Sequence, residues 1–418
     1  MKSKMKYKFV KMTKMNNFLE KFQKNITVNQ LFIIFIVISF FFILIYPNFL
    51  FPDFDNLNRN FKNVLEAFFS GSTVVKSKTF GGSTEEHKLL LDQLFLTPQL
   101  KIIQFIDFFF DISIIKYADL NDVFVKFYFF IITVLLIFFL NLADDIFSDN
   151  KKDNHEKKLI FILSLLFPGV LMSITAPSSE AVFSVFSIFL FTRIFEPKLN
   201  IKQGIFYFSI FTYSYFLDSG NWFIVSIFIF NIMVSYILIK FSKTLFYIIF
   251  IMSILFIFLF VNEIIHYLVD ITESHKIKRI IGDIQNTPIQ NREPFDIIKR
   301  YLFLVLTLFA ILTSTKKFVF TSLIFITYLA YAIFINYYRK RVTISNHIND
   351  YELIVFLNLI FLPFVIVYAL PLHAYGKYYI FLIPIIFKII LFFISIEKLL
   401  KLNTIFTIFF VINIIIIA

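Results

Sequence analysis

At 418 residues, 59% hydrophobic and 20% aromatic, with charge held to 16%, the chain is not a soluble globular protein. The absence of Cys also excludes disulfides, thiolate metal sites and cysteine nucleophiles. A net charge of +12 does not point to nucleic acid, because Lys and Arg gather in the N-tail and at the ends of apolar runs.

With a mean hydropathy of +0.80, apolar runs near bilayer-spanning length recur from Leu31 to the C-terminus. The sequence predicts an all-α fold, a polytopic transmembrane helix bundle of about 11 spans. Residues 1–30 form a basic cytoplasmic tail, in which eight Lys face the single acid Glu20 within residues 1–25. Residues 31–418 form one transmembrane domain. The first span runs from Leu31 to about Pro47 and reads as an uncleaved anchor, since it ends in Tyr46-Pro47-Asn48-Phe49 rather than small residues.

The first extracytoplasmic loop, 51–121, carries more Asp and Glu than Lys and Arg, the reverse of the whole chain. Ser83-Thr84-Glu85-Glu86 reads as a capping box opening a helix. Lys101, Gln104, Asp107 and Asp111 place a thin polar stripe on an interface helix around 89–117. Further spans are expected at 123–142, 159–174 and up to Arg193, with the charges from Asp144 to Lys158 between the first two on the cytoplasmic side. Runs at 205–217 and 222–239 flank Asp218-Ser219-Gly220-Asn221, and the first is short for a full crossing. After a span to about Val261 comes a second polar loop, 262–301; later spans fall near 302–314, 318–336, 353–370, 378–394 and 404–418.

The chemistry-bearing candidates sit at span ends. Asp53 and Asp55, two apart just beyond the first span, either converge at a turn on one cation or hydroxyl or are two solvated loop carboxylates. Glu180 is a pocket acid or a helix N-terminal carboxylate favoured by the dipole. Asp218 lies in a turn beside Trp222, the only Trp, which is an interface anchor or a sugar-stacking platform. Arg292 and Arg300 bind a phosphate or snorkel to headgroups. Lys377, beside Tyr378, holds a lipid phosphate as a point charge or snorkels likewise. Lys388, deep in an apolar run, is expected to face the bundle interior or a cavity. His266 and His275 lack partners at zinc-ligand spacing, and no phosphate-binding Gly loop, Gly-x-Ser-x-Gly or His-Glu-x-x-His is present.

The layout resembles the GT-C superfamily of integral membrane glycosyltransferases that use polyprenyl-phosphate-linked sugars. The likeness lies in Asp53-Phe54-Asp55 at the head of a long first loop, in the Pro177 to Glu180 turn, and in Gly376-Lys377-Tyr378-Tyr379 before a Pro-containing apolar span. It departs in lacking a large C-terminal soluble domain and in carrying Lys377 where a late Arg is usual. The resemblance implies a bacterial inner-membrane enzyme that moves sugar to an extracytoplasmic glycan, lipid or protein acceptor. Asp53 or Asp55 is then the general base, the other orienting the acceptor or a divalent cation, Mg or Mn. Lys377 steadies the donor phosphate, with Tyr378, Glu180, Asp218, Trp222 and Arg292 lining the substrates. No other cofactor is expected. The alternatives are an O-antigen-type polymerase or ligase relying on Arg292 and Arg300, a lipid-linked oligosaccharide transporter, and a scaffold subunit of an envelope complex.

Overall fold

The computed structural model describes residues 27–45, 74–78, 84–88, 108–109, 123–148, 151–175, 179–193, 200–217, 219–242, 244–252, 255–256, 259–260, 263, 294–310, 330, 357–358, 361–366, 376–391, 394 and 396–417. Helices dominate them. The first, α1 (Val28–Ile45), occupies the expected first span. It opens on a reciprocal cap: the Gln30 N–H donates to Thr27 Oγ1 at 3.3 Å, and the Thr27 N–H to Gln30 Oε1 at 3.0 Å.

The expected capping box in the first loop is not a helix start. Thr84–Lys88 (β2) pairs antiparallel with Val74–Lys78 (β1), in a register that sets Lys76 opposite Glu86. The antiparallel backbone ladder with Val74–Lys78 takes these residues in place of a helix start. This hairpin is the one departure from an all-α fold among the described residues.

Helix α2 (Val123–Phe147) runs past its predicted end, so that Asp144 and Asp145 ride its last turn. The predicted third span is broken. Helix α3 (Lys151–Leu165) stops before Pro168, and α4 (Pro168–Thr175) leaves at 71° to it. Proline has no N–H to give Ser164, and its ring blocks continuation of the preceding turn. The Phe167 N–H therefore bonds the Ser164 carbonyl at 3.1 Å, while those of Val170 and Leu171 bond Phe167 O at 2.9 Å. One carbonyl freed at the break finds a partner on the C-terminal helix: Asn403 Nδ2 donates to Leu163 O at 3.4 Å, while the Thr407 hydroxyl, which donates to Asn403 O at 2.8 Å, lies 3.5 Å from Leu166 O. A helix interrupted inside an apolar bundle persists only when such groups are satisfied.

Next come α5 (Ser179–Arg193), α6 (Ile201–Leu217), α7 (Ser219–Phe241) and α8 (Pro294–Ala310). A 3-10 segment, Gly376–Leu382, leads into α9 (Ile383–Leu391), and α10 (Ile396–Ile417) closes the chain. The core is built on α3, α4, α5, the 3-10 segment and α9. Every residue from Ala181 to Phe191 is buried, which makes α5 the central helix. By contrast α1 and α2 present Ile33, Val37, Phe41, Leu135, Phe138 and Phe139 outward. Lys388 is also exposed and does not face the bundle interior: the faces of α9 carrying Ile383, Phe387 and Ile390 meet the core and leave the lysine on the opposite side.

Helix direction sorts the charges. Phe35 packs near Phe130 and Phe40 near Phe127, so α1 and α2 are antiparallel. The C-termini of α2 and α5 meet the N-terminus of α6 around Asp144. Pairing of Asn403 with Leu163 and of Thr407 with Leu166 makes α10 parallel to α3. One end of the bundle thus carries Lys157, Lys158, Arg193, Lys202, Lys398 and Lys401; the other carries the end of α1, the start of α2, the start of α5 and the α6–α7 junction.

One helical stretch, Phe130–Phe147, is long and apolar enough to cross a membrane, and the bent α3–α4 pair makes a second if counted as one span. Shorter apolar helical stretches include Val28–Leu44, Ala181–Arg193, Ile224–Ser235 and Tyr379–Lys388. The expected interface helix around 89–117 lies outside the described residues except for Phe108 and Phe109, which are helical and exposed.

Candidate functional site

Asp53, Asp55, Asp218 and Arg292 lie outside the described residues, as do His266 and His275. Glu180 is the second residue of α5, and Asp218 separates α6 from α7. Trp222, in the first turn of α7, is 1% exposed. Its ring meets Phe183 of α5 at 5.7 Å and Phe211 of α6 at 5.6 Å, both edge-on. The indole here packs three helices together; it presents no open face to a sugar or to an interface.

This aromatic junction sits at the end of the bundle where α1 finishes, eight residues before Asp53. Lys377 and Tyr378 stand elsewhere along the bundle axis. Their 3-10 segment packs through Phe381 onto Phe191, at 4.6 Å, and onto Phe228, at 5.1 Å. Phe191 is eleven residues beyond Glu180 on α5, or about 16 Å along a helix. The packing therefore draws the starts of α5 and α7 and the second half of α6 together around Trp222, while the 3-10 segment lies against the Arg193 half of α5.

The most developed polar arrangement is one that sequence reasoning treated as span-end charges. Arg193, 0% exposed, donates through Nε to Asp144 Oδ2 at 2.7 Å, and Asp144 is 1% exposed. The other nitrogens of the guanidinium reach Asn141 Oδ1 at 3.1 Å and Thr192 Oγ1 at 2.6 Å. Its face lies 3.8 Å from the Phe189 ring centroid and 5.1 Å from that of Phe161. Tyr207 donates to the second Asp144 oxygen at 2.7 Å. Asn200, which caps α6 by accepting from the Gln203 N–H at 2.7 Å, also donates to the last-turn carbonyl Phe147 O of α2 at 2.9 Å. Asp145 pairs with Lys158 of α3 just outside.

Both Asp144 oxygens and all three guanidinium nitrogens are engaged and the pair is 0% and 1% exposed, so the cluster presents no open position to a substrate or an ion. The cluster is a clamp that holds the ends of α2, α5 and α6 in register beside α3. One sequence signal pointed to it: Arg193 is the only arginine between Arg59 and Arg279 in a lysine-rich chain, and a forked, stackable cation is what such a site requires.

No family model, curated protein or solved structure matches this chain. The functional reading therefore stands on residues and geometry alone. Among the described residues no group of three His, Cys, Asp or Glu side chains is placed to hold a metal ion; the carboxylates expected to do so, Asp53 and Asp55, are outside them.

Proposed function

We propose that the chain is a multi-pass membrane glycosyltransferase of GT-C type, moving sugar from a polyprenyl-phosphate donor to an extracytoplasmic acceptor. The observation that carries this reading is the sequence Asp53-Phe54-Asp55, eight residues beyond the end of α1, which is the end of the bundle opposite the lysine-rich one. With the lysine-rich end in the cytoplasm, as the positive-inside bias requires, the end of α1 and the start of α5 lie on the extracytoplasmic side. The outward apolar faces of α1, α2 and α6 support membrane embedding: Ile33, Ile131, Phe139 and Phe208 would each expose hydrocarbon to water in any other setting. About eleven crossings, an N-terminus in the cytoplasm and a bacterial inner-membrane location belong to this reading.

In the proposed mechanism one carboxylate of the pair takes the acceptor proton, and the other orients the acceptor or a divalent cation. The expected role of Lys377 at the donor phosphate is not part of this mechanism, because its 3-10 segment packs through Phe381 onto Phe191 in the Arg193 half of α5. Membranes carrying wild type, Asp53→Asn and Asp55→Asn at matched expression are compared for sugar transfer from a polyprenyl-phosphate donor pool. Loss of product in either variant, with the protein still inserted, is expected; unchanged product in both removes the base.

A second reading has its own observation. Carriers for lipid-linked oligosaccharides use broken helices as pivots, and the buried α3–α4 break at Pro168-Gly169 is such an element. Flipping of a labelled lipid-linked oligosaccharide in proteoliposomes, with no change in its sugars, favours the carrier.

A further inference from the structure

A groove of about 540 Å³ opens between α7, the helical residues 249–252 and 255–256, and the helical residues 361–365. Ile227, Val234, Ile249, Phe250, Leu362 and Val365 are among its walls, and among the described residues its one polar lining side chain is Asn231. That amide is already committed, since Asn231 Nδ2 donates to Asn358 Oδ1 at 2.6 Å. No charged side chain is among the described residues that line it. Its volume is that of a small-molecule site, generally ~300–1,000 Å³, but these walls suit hydrocarbon and not an ionic or sugar-like ligand.

Two further features say what fills it. The rim residues Phe230, Met252, Phe256 and Phe361 are exposed, so the groove runs without interruption into the outward apolar surface. Asn231 is the thirteenth residue of the 23 in α7, so the groove sits about 15–18 Å from either helix end. In a bilayer with a hydrocarbon core of about 30 Å, that is the depth of chain interiors, beyond the reach of headgroups.

We infer that this groove holds one acyl chain of a phospholipid from the surrounding bilayer, retained as an integral part of the bundle. Bilayer phospholipid is in vast excess over any specialised lipid, and mass action fills a headgroup-blind site with the commonest chain. The bound chain covers the walls between α7 and the two later helical stretches, which otherwise meet across the Asn231–Asn358 bond. The inference rests on membrane embedding alone and is independent of the glycosyltransferase chemistry.

The test uses tryptophan emission and phosphatidylcholine dibrominated in mid-chain. In a Trp222→Phe background, Met252→Trp places a reporter on the groove rim and Phe138→Trp one on the open outer face of α2. Both lose emission in brominated bilayers. After transfer to excess detergent the Phe138→Trp signal recovers in full, whereas Met252→Trp remains quenched because its lipid is retained. Filling the groove with Val234→Phe, or with Ile227→Phe should the first disturb folding, makes the rim reporter recover like the outer one. Full recovery of Met252→Trp without a filling substitution overturns the proposal, as does residual quenching that ignores both fillings. If neither reporter is quenched in the bilayer, membrane embedding itself fails.

Discussion

The clamp at the lysine-rich end makes the sharpest quantitative prediction. Arg193→Met keeps an apolar stem of similar length against Phe189 but removes the charge and every donor. It strands Asp144 Oδ2 and Asn141 Oδ1 in a site where Asp144 is 1% exposed. Breaking a buried pair by deleting one partner costs about 3–5 kcal/mol, because an uncompensated charge is left behind. Asp144→Leu strands the guanidinium instead and is expected to cost a similar amount. The double variant Asp144→Leu/Arg193→Met removes both charges and leaves the Tyr207 hydroxyl, the Asn141 amide and the Thr192 hydroxyl each one bond short. At about 1 kcal/mol for each such bond, the pair of substitutions costs roughly 3 kcal/mol, well below the sum of the singles. Unfolding in mixed micelles titrated with sodium dodecyl sulfate, followed by far-UV circular dichroism, measures all three. A single-variant cost below about 1 kcal/mol, or a double variant that costs the full sum, refutes the clamp.

Three other outcomes follow from particular contacts. Trp222, the sole indole and 1% exposed, is expected to emit in the blue and resist acrylamide, and Trp222→Ala to cost about 3–5 kcal/mol in the same titration; red, freely quenched emission contradicts its place in the core. Asn403→Leu takes the partner from Leu163 O, a carbonyl freed by Pro168, with an expected cost of about 1–3 kcal/mol and increased hydrogen exchange around 163–167. Asn231→Leu removes an interhelical bond inside the apolar bundle, for which roughly 0.6 kcal/mol and at most about 1.7 is expected; a larger loss means the amide does more than join two helices.

The properties legible in the sequence were those set by a chain segment and its solvent. Apolar length located α1 and α2, because a run of hydrocarbon side chains must be covered whatever its neighbours do. Clustered lysines marked one end of the bundle for a similarly local reason. The candidate site was legible only as residue types at span ends, since Asp53 and Asp55 carry no signal of which groups they face. Partnership between distant residues is what tertiary structure alone decided. Asp144 and Arg193 are 49 positions apart and look like ordinary flanking charges until α2 and α5 pack with their C-termini together. Ser83-Thr84-Glu85-Glu86 satisfies a helix-start pattern, yet Thr84–Lys88 pairs with a strand that no local pattern names. Trp222 reads as an anchor from its place near a turn, and only the convergence of Phe183 and Phe211 encloses it. The break at Pro168 is sustained by Asn403, 240 residues from the carbonyl of Leu163, because a carbonyl orphaned in an apolar interior accepts whichever donor the fold brings to it.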